Sequence, residues 1–493
     1  MRIDDLHAQQ RIDQVPLMTV RLNPRSRDEK VKLIRGLQGV YADVQTRQCI
    51  LDLIAQDVIH GSRRDTGRPG MDLWSIFVLL ATREALQADY DELEDLAAHH
   101  TLIRAAMGIG GWEDKHVFDW TQIWRNVRRV RAETVAEINR RVLQLGHQIA
   151  PSAVERVRID SFVMRTNAHH PSDLRQTGDG LQLVIRHAAR LAEALGSTLL
   201  RQHEHLARRA RQLVLVGGRA SASKHRDRAA KLAAAARAVC DFADERCAQA
   251  LLLVDQAHAR LGGLEPIAQA TASYEKDRLF YALSALATCA HVVRERLVMD
   301  REVALSDRLF SIFEPHTELI YRGKVPVPVE FGHRILVAED AAGFIVHAEV
   351  MTNGAQDRDV AVPVTRSLKD RFPTLAGISF DRGFHSPDNQ RGVAAIIPEP
   401  CLPTTGEKAL TKQMAEVGPS WRWMRRRHAG VEAAIGNLED NHGCRRCPDK
   451  GRDGYERFLQ TAVLAHNIMN FGRLLWAQDN PDALPARTRR RAV

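Results

Sequence analysis

The sequence lacks a regular cysteine framework. Its seven cysteines are scattered at positions 49, 240, 247, 289, 401, 444 and 447. An odd number without regular spacing is typical of a protein kept in a reducing cytoplasm. We therefore expect free thiols rather than disulfides.

Long apolar runs are also missing. The most apolar stretch, Leu73 to Leu80, is far too short to cross a bilayer. The first residues, MRIDDLHAQQ, contain no apolar signal core. A Gly-x-Gly at Gly178 lacks the strand and turn that precede a dinucleotide-binding fingerprint. The absence of a membrane-spanning run and of a signal core predicts a protein that stays inside the cell.

Basic residues, in contrast, are in excess. Lys plus Arg number 70 against 61 Asp plus Glu in 493 residues, a net charge of +9. With 44% hydrophobic and 27% charged residues, the composition is that of a globular protein. The length suits about two to four domains. The charge favours a polyanionic partner, although many basic proteins bind no nucleic acid.

Helical periodicity dominates residues 1–150. Leu33, Leu37, Val40 and Val44 recur at helix spacing. A later helix carries tryptophans among arginines that could lie on phosphates, namely Trp120, Trp124, Arg125, Arg128, Arg129 and Arg131. The alternative is a solvated helix flank with ordinary ion pairs, and the sequence leaves both open.

Strand periodicity begins near Val154. Val157 and Ile159 alternate with polar residues, which places Asp160 near the middle of a strand with one polar face. A turn is predicted at Gly178–Gly180, and helical periodicity then continues to about residue 311. A long helical segment is thus expected to interrupt a sheet.

The sheet is predicted to resume with a hairpin. Its strands are Ile335–Ala338 and Phe344–Val350. After a helix at Val364–Phe372, the strand LAGISFD ends at Asp381, and Ser386 is suited to cap the next helix. The segment VAAIIPEP predicts a fifth strand.

The last part of the chain is predicted to be helical from Trp421 to Trp476. Within it, Val431, Ala434, Ile435 and Leu438 form an apolar stripe, and Glu432 lies at its margin. The acid can therefore lean toward the sheet without entering the core. A basic, disordered tail is expected at 477–493.

Three carboxylates stand where this organisation could bring them together: Asp160, Asp381 and Glu432. Asp381 follows a strand, at the edge where open α/β sheets bind ligands. Phosphodiester cleavage is performed by metal pairs about 4 Å apart, and hard oxygen ligands select Mg²⁺ or Mn²⁺. Singly, each acid has an ordinary role in a cap, a turn or a helix surface. Their ordered combination favours metal-dependent cleavage.

With these residues the chain resembles bacterial insertion-sequence transposases of the DDE class, which carry an RNase H-like catalytic domain. The resemblance runs from RPGMDLWSIFVLLATREALQADYDELEDLAA to AVLAHNIMNFGRLL. Its most specific pieces are RIDSFVMRTNAHHPSD, FDRGFHSPDN and GVEAAIGNLEDNHGCRRCPDKGRDG. The resemblance implies that Asp160, Asp381 and Glu432 are the catalytic acids and metal ligands. It implies two Mg²⁺ ions, for which Mn²⁺ can substitute.

The fold implied by the resemblance is α/β: an RNase H-like five-stranded mixed sheet with flanking helices, a large helical insertion and an N-terminal helical domain. The expected domains are a DNA-end-binding domain at 1–150, the two parts of the catalytic domain at 151–180 and 312–476, the insertion at 181–311 and the tail at 477–493. The insertion contains no tryptophan, so it is not expected to supply an indole to a DNA hairpin.

The implied activity is nicking of the insertion element's ends and joining of the freed 3′-hydroxyls to target DNA. Terminal inverted repeats and target DNA are the expected partners, with a homodimer in the synaptic complex and no membrane. The expected location is the bacterial cytoplasm, at the nucleoid. Two alternatives remain: an RNase H-like nuclease without joining activity, and a catalytically inactive transposase-derived DNA-binding protein.

Basic residues near these motifs are the candidate DNA contacts. They are Arg125, Arg128, Arg129, Arg425, Arg426, Arg427, His385, Arg445, Arg446 and Lys450. Related transposases have a Tyr and an Arg before the last acid and a Lys after it. Here Arg425 and His428 precede Glu432 by seven and four residues, and Glu439 follows by seven. Arg445, Arg446 or Lys450 could supply the missing positive charge to a phosphate.

Other polar clusters are weaker candidates. Cys444 and Cys447 lack the second pair that a tetrahedral zinc site requires. The histidine pairs His99–His100 and His169–His170 are expected to be ordinary helix-surface and loop residues. Trp421 and Trp423 are expected to pack in a core or interface, with base stacking as the alternative. Runner-up metal ligands are Glu330, Asp340, Glu349, Asp173 and Asp179.

Overall fold

The structure is a computed structural model that describes residues 3–8, 14–23, 26, 28–59, 70–110, 114–321 and 328–480. These residues form two compact units, one from Met1–Thr166 with His333–Val493 and one from Asn167–Gly332. The predicted insertion at 181–311 lies within the second unit. The start predicted for the disordered tail is wrong, because residues 477–479 belong to the last helix. The tail from residue 481 onward lies outside the described residues.

Aspartate caps set the starts of several helices in the N-terminal part of the first unit. The helices are α1 (Glu29–Ala42), α2 (Val44–Val58), α3 (Leu73–Leu86), α4 (Tyr90–His99), α5 (Thr101–Met107), α6 (Trp120–Val127) and α7 (Ala132–Ile149). The carboxylates of Asp72, Asp89 and Asp119 accept hydrogen bonds from the first turns of α3, α4 and α6. They satisfy N–H groups that a helix start leaves unpaired. The predicted helical character of this region is confirmed.

Helix α3 is buried along its length, from Leu73 to Ala85. It packs, with α1 and α7, against the last helix of the chain, α17 (Arg452–Asp479). This approach requires a glycine, because a Cβ on Gly472 would lie 2.1 Å from the carbonyl oxygen of Lys32. The N-terminal helices share one hydrophobic core with the sheet.

Six strands of the described residues form one mixed sheet. They are β1 (Arg156–Arg165), β2 (Glu318–Tyr321), β3 (Val329–Asp340), β4 (Ile345–Val350), β5 (Gly377–Phe380) and β6 (Glu399–Cys401). The order is β2-β3-β1-β5-β6, with β4 also paired to β3. Strands β1, β5 and β6 are parallel, whereas β3 and β4 form the predicted antiparallel hairpin. The predicted α/β class and mixed sheet are confirmed, but the sheet has six strands rather than five.

The predicted strand VAAIIPEP is largely wrong. Val393 and Ala394 end a helix, and only Glu399–Cys401 forms β6, which pairs with β5. In between, Ile396 is partly buried and Ile397 is buried, whereas Ala395 and Pro398 are exposed. A short apolar run alone does not separate a strand from the end of a buried helix.

The second unit is built from long helices. They are α8 (Asp173–Ala194), α9 (His203–Ala222), α10 (Arg228–Arg260) and α11 (Pro266–Val293). The turn predicted at Gly178–Gly180 is wrong, because α8 runs through it. A Cβ at Gly178 would lie 2.7 Å from Val214, and one at Gly180 would lie 3.1 Å from Leu286. These glycines serve close helix packing rather than a turn.

Helices fill most of the remaining chain. They are α12 (Asp357–Arg371), α13 (Pro387–Ala394), α14 (Glu407–Glu416), α15 (Pro419–His428) and α16 (Gly430–Asn441). Short 3-10 or π turns lie at Leu6–Ala8, Leu17–Thr19, Pro151–Glu155, Leu261–Gly263, Arg294–Val298, Leu305–Asp307 and Arg382–Phe384. None of the helices in the described residues combines the length and apolar character needed to span a membrane.

The helix predicted over Trp421–Trp476 is interrupted. It breaks at Ala429 and again between α16 and α17, where residues 442–451 form an irregular segment. Gly443 and Gly451 have φ angles of 72° and 76° there. Glycine adopts this left-handed conformation without a steric penalty. We call residues 442–451 the CRRC segment.

Candidate active site

Asp160 lies in the middle of β1, as predicted. Val157 and Ile159 are buried on one face of this strand, and Asp160 is half-buried. The backbone N–H of Ser161 donates to Asp160 Oδ1 at 2.7 Å. Since β1 lies between β3 and β5 in the sheet, the carboxylate occupies a central position.

Asp381 follows β5 directly. The parallel register pairs Ile159 with Phe380, so Asp160 and Asp381 are the next residues along two neighbouring strands. Adjacent strands lie about 4.8 Å apart. Asp381 is half-buried and starts a single 3-10 turn. Ser386 then caps α13 by accepting from the N–H of Asn389, so the predicted cap is confirmed.

Glu432 lies in the first turn of α16 and is exposed. The stripe predicted from the sequence, Val431, Ala434, Ile435 and Leu438, is buried, and α16 packs on β1. Helix α15 precedes α16 and packs on β5 and β6. Glu432 is therefore held at the margin of a buried helix face beside the strand of Asp160. We call Asp160, Asp381 and Glu432 the acid triad.

The acid triad is electrostatically coupled. Burial, followed by the carboxylates of Asp381, Asp357 and Glu432, raises the pKa of Asp160 to about 7. The structure thus brings the three predicted acids into one local field. Within the described part of the chain, however, no three His, Cys, Asp or Glu side chains are already arranged closely enough to enclose a metal ion.

Asp357 is a fourth acid at this place that the sequence prediction missed. It is the first residue of α12, and its Oδ1 accepts a hydrogen bond from Ser161 Oγ at 2.7 Å. Arg334 Nη1 lies 3.6 Å from the same oxygen. The helix was predicted to begin only at Val364. The capping box at Gln356 was the signal that could have placed its start at Asp357.

Arg158, also missed, connects the strand of Asp160 with the helix of Glu432. Its guanidinium pairs with Glu339 at 2.7 Å and donates to the carbonyl oxygens of Arg427 at 3.1 Å and Asp340 at 3.3 Å. A Cβ at Gly430 would lie 1.9 Å from Arg158 Nη1. Arg158 therefore lies against the corner between α15 and α16 and fixes where α16 begins.

His428 lies behind Asp381. Its Nδ1 is 3.1 Å from Ser379 Oγ, and burial lowers the pKa of His428 to about 4. The imidazole is therefore neutral near pH 7. Its Nε2 is buried and has no hydrogen-bond partner among the described residues.

The runner-up acids have structural partners. Asp340 Oδ1 accepts from the N–H groups of Ala342 at 2.9 Å and Phe344 at 3.0 Å, and its Oδ2 lies 2.9 Å from His147 Nε2. The others are Glu349 paired with His347, Asp173 with Arg296 and Arg308, Asp179 with His169, and Glu330 opposite Ile320 in the β2–β3 ladder.

The predicted DNA contacts fall in three places. Arg125, Arg128 and Arg129 are exposed on or just after α6. In and around the acid triad, Arg425 and His385 are half-buried, whereas Arg426 and Arg427 are exposed. Arg445, Arg446 and Lys450 are exposed in the CRRC segment, where Arg445 Nε donates to Asp440 at 2.6 Å.

The tryptophans before Glu432 differ from each other. Trp421 is buried, as expected for a packing residue. Trp423 is 37% exposed, and the guanidinium groups of Arg156 and Arg427 lie 5.2 and 4.8 Å from its ring centre. An indole in contact with two cations is thus partly exposed to solvent.

The two cysteines of the CRRC segment are buried thiols. Burial raises the pKa of Cys444 and of Cys447 well above the usual range of a thiol. Cys447 Sγ contacts the carbonyl oxygen of Asp449 at 3.5 Å. Both side chains belong to an apolar cluster that includes Tyr455, Phe458 and Leu459.

Comparison with known proteins gives no match: no family model, no curated protein and no solved structure is significantly similar to the chain. The geometry and chemistry of the acid triad are therefore the basis for assigning a function.

Proposed function

We propose that the protein is a DNA transposase of the DDE class with an RNase H-like catalytic domain. It nicks the ends of its insertion element and joins the freed 3′-hydroxyls to target DNA. The observation that carries the proposal is the coupling of Asp160, Asp381 and Glu432. These acids come from β1, from the end of β5 and from α16, yet the carboxylates of Asp381 and Glu432 both act electrostatically on Asp160.

The order of the elements supports the RNase H-like assignment. In such domains the first acid lies on the first strand of a mixed sheet, the second follows a later strand and the third lies on a following helix. Here β1 has an antiparallel hairpin on one side and the parallel strands β5 and β6 on the other. The acid triad occupies the corresponding elements, and β2 is an addition to the sheet.

The acid triad has the donor chemistry for divalent cations. Its oxygens are hard ligands of the kind that Mg²⁺ and Mn²⁺ prefer. No ion pair of these three acids with a basic side chain is seen among the described residues, whereas the acids of the nearby hairpin are paired. When bound, two such ions would activate the attacking water or 3′-hydroxyl and stabilise the leaving oxygen. Asp160, Asp381 and Glu432 would hold the ions.

The protein's own residues would perform the positioning. Arg158 holds the start of α16, and with it Glu432, against the strand of Asp160. Neutral His428 presents an unpaired, buried Nε2 near Asp381. Exposed arginines of α15 lie on the chain just before Glu432 and would neutralise DNA phosphates. Two element ends must be joined together, so a homodimer is the proposed active form.

A nicking and joining assay tests this proposal. The full-length protein is incubated with a supercoiled plasmid carrying the genomic DNA that flanks its coding sequence, with Mg²⁺, Mn²⁺ or EDTA. We expect metal-dependent nicks at inverted repeats and, with target DNA, joined products. Nicking without joining would indicate the simple nuclease, and DNA binding without nicking would indicate the inactive descendant.

Asp381→Asn is the decisive variant in this assay, and Asp388→Asn is its matched control. Asp388 lies seven residues further on, with an 87% exposed side chain paired to Arg391. We expect the first variant to lose nicking and the second to keep it. Equal activity of the two variants would contradict the proposal.

A further inference from the structure

The first unit also contains a cleft that is not lined by any residue of the acid triad. It has a volume of about 580 Å³ and lies between helices α3, α4 and α6 and the CRRC segment. This volume falls in the range of about 300–1,000 Å³ that small-ligand pockets occupy. The cleft brings together Trp124, Arg128, Arg446 and Lys450, which come from two parts of the sequence more than three hundred residues apart.

The walls of the cleft are aromatic and are covered by guanidinium groups. The guanidinium of Arg128 lies 4.6 Å from the ring centre of Trp124. Arg83 lies 4.7 Å from the ring centre of Tyr90 and 5.8 Å from that of Phe458. Flat surfaces of this kind, an indole and the faces of guanidinium groups, are those on which nucleobases stack.

The floor of the cleft is a fixed ionic network. Arg83 Nη2 donates to Asp449 at 2.7 Å, and Arg83 Nη1 is 3.1 Å from Glu84. Arg457 Nη2 also donates to Asp449, at 3.3 Å. Burial raises the pKa of Glu84 to about 8, so near neutral pH the network holds two guanidinium groups against the single carboxylate of Asp449.

The rim adds further positive charge to the cleft. Arg128, Arg446 and Lys450 are exposed there, against one acid, Asp89, whose side chain already caps α4. The excess of positive charge favours an anion at the entrance of the cleft. The cations of the rim are thus suited to bind a phosphate, and the aromatic walls are suited to stack on a base.

Polar atoms inside the cleft are left unused. The phenol oxygen of Tyr90 and Nε of Arg83 are buried without a hydrogen-bond partner among the described residues. The side chain of Arg83 is only 7% exposed. Buried polar groups of native proteins are rarely left unsatisfied. A ligand with hydrogen-bonding edges would satisfy them.

We propose that the cleft receives one unstacked nucleotide of the DNA substrate, its base against the Arg128–Trp124 and Tyr90 walls and its phosphate between Arg446 and Lys450. The identification of the ligand as part of the transposon DNA rests on the proposed function. The base edge would meet the Tyr90 hydroxyl. Proteins that bind single strands combine stacking surfaces and cations in the same way.

The length of α16 gives the position of the bound nucleotide along the DNA strand. Gly443, at the cleft, is eleven residues beyond Glu432. Nine of these residues belong to α16, which ends at Asn441, so at a rise of about 1.5 Å per residue the helix accounts for about 14 Å of a separation of roughly 16 Å. Along the axis of duplex DNA, each strand carries one phosphate per about 3.4 Å. The bound nucleotide should therefore lie about five nucleotides from the scissile phosphate.

A fluorescence experiment tests the cleft. The probe is an element-end duplex with a short single-stranded extension in which 2-aminopurine replaces each base in turn, mixed with full-length protein in EDTA so that no cleavage occurs. We expect one position to be quenched most strongly, about five nucleotides from the cleavage point. Uniform quenching along the strand would overturn the proposal.

Matched substitutions locate the effect. Trp124→Leu keeps an apolar side chain but removes the indole, and we expect a loss of affinity of about 5- to 150-fold together with loss of the position-specific quench. Trp120→Leu is the control, because Trp120 lies on the same helix, is 47% exposed and does not line the cleft. Equal affinities of the two variants would overturn the proposal.

A second pair of variants does not depend on helix packing. Lys450→Gln should reduce the slope of log affinity against log salt by about one unit. The control is Lys412→Gln on exposed α14, which should change the affinity but leave the position of the strongest quench as in the wild type. A Lys450→Gln protein with the wild-type quench and salt slope would overturn the proposal. If wild-type protein shows the Trp124-dependent quench but never nicks DNA, the proposed function fails and the cleft assignment stands. If the protein nicks DNA normally but shows no quench, the cleft assignment fails and the proposed function stands.

Discussion

Two groups of acids in the same sheet differ in what surrounds them. In the hairpin, Asp340 accepts two backbone N–H groups and faces His147, and Glu339 is paired with Arg158. In the acid triad, the main electrostatic neighbours of Asp160 are other carboxylates. Asp340 has completed its interactions within the protein, and Glu339 has a basic partner although burial raises its pKa to about 7. The acids of the second group have no basic partner among the described residues.

The difference teaches how a structural acid is told from a functional one. Carboxylates that repel one another in a partly buried place lower the free energy of unfolding unless a cation joins them. Their retention in the fold is understandable if they serve a ligand that the chain itself does not supply. Burial and partner lists, rather than position on a strand, make the distinction.

The largest expected effect separates the two groups by activity. Asp160→Asn, Asp381→Asn and Glu432→Gln remove one metal-binding charge each, and we expect nicking to fall by about 10³-fold or more. DNA affinity, measured by gel shift, should remain nearly unchanged. Glu349→Gln, on the hairpin, is the matched control and should keep its nicking rate. Strand transfer by any of the three triad variants would remove that residue from the catalytic set.

The next effect separates the groups by stability. Asp340→Asn loses charge-assisted hydrogen bonds to Ala342, Phe344 and His147, and we expect the free energy of unfolding to fall by about 3 kcal/mol. Asp160→Asn removes a repelled carboxylate and should leave that free energy unchanged or raise it. Urea unfolding of both metal-free variants at neutral pH measures the contrast. A larger loss at Asp160 than at Asp340 would reverse our classification.

A smaller effect concerns the residue that joins the two groups. Arg158→Lys keeps the charge but loses the second arm of the guanidinium, so Glu339 and the carbonyl of Arg427 are no longer held together. We expect nicking to fall by about 10- to 100-fold, as for residues that orient metal ligands.

The control for Arg158→Lys is Arg156→Lys on the same strand face, where the partner Glu399 is a third exposed. It should retain nearly full activity. The Arg158 variant should need a higher Mg²⁺ concentration for half-maximal nicking, and increasing the concentration should restore part of its rate. A loss that no Mg²⁺ concentration affects would indicate a general folding defect instead.

The smallest effect is a pH dependence. Because the pKa of Asp160 is raised to about 7, a cation must displace its proton at lower pH. We expect apparent Mn²⁺ affinity to fall by about tenfold per pH unit below 7 and to level off above it. Mn²⁺ titration followed by electron paramagnetic resonance checks this, and the slope should be lost in Asp160→Asn.

The raised pKa of Asp160 also determines how the stability of the metal-free protein changes with pH. The folded-state pKa of Asp160 lies above the ordinary value of 3.8, so the folded state holds the proton more tightly than the unfolded state does. Stability contributed by this group should decrease as pH rises from about 4 through 7. Stability that increases over this window in the wild type, relative to Asp160→Asn, would contradict the assigned burial.

Local patterns predicted the elements that carry the acids. Strand alternation placed Asp160 within β1, and the Ser386–Pro387 pair placed the helix start after Asp381. Partners distant in the sequence explain the misses. Gly178 was assigned to a turn because only packing against Val214 shows its use in a helix. Arg158 and Asp357 were missed because their roles depend on contacts hundreds of residues away along the chain.

The contact between Arg158 and Gly430 limits how the sequence can change during evolution. The guanidinium fills the space that any side chain at position 430 would need, and it also neutralises Glu339. A change at one of these positions alters what the other two can tolerate. In descendants of this gene, the three codons should therefore be replaced together or not at all.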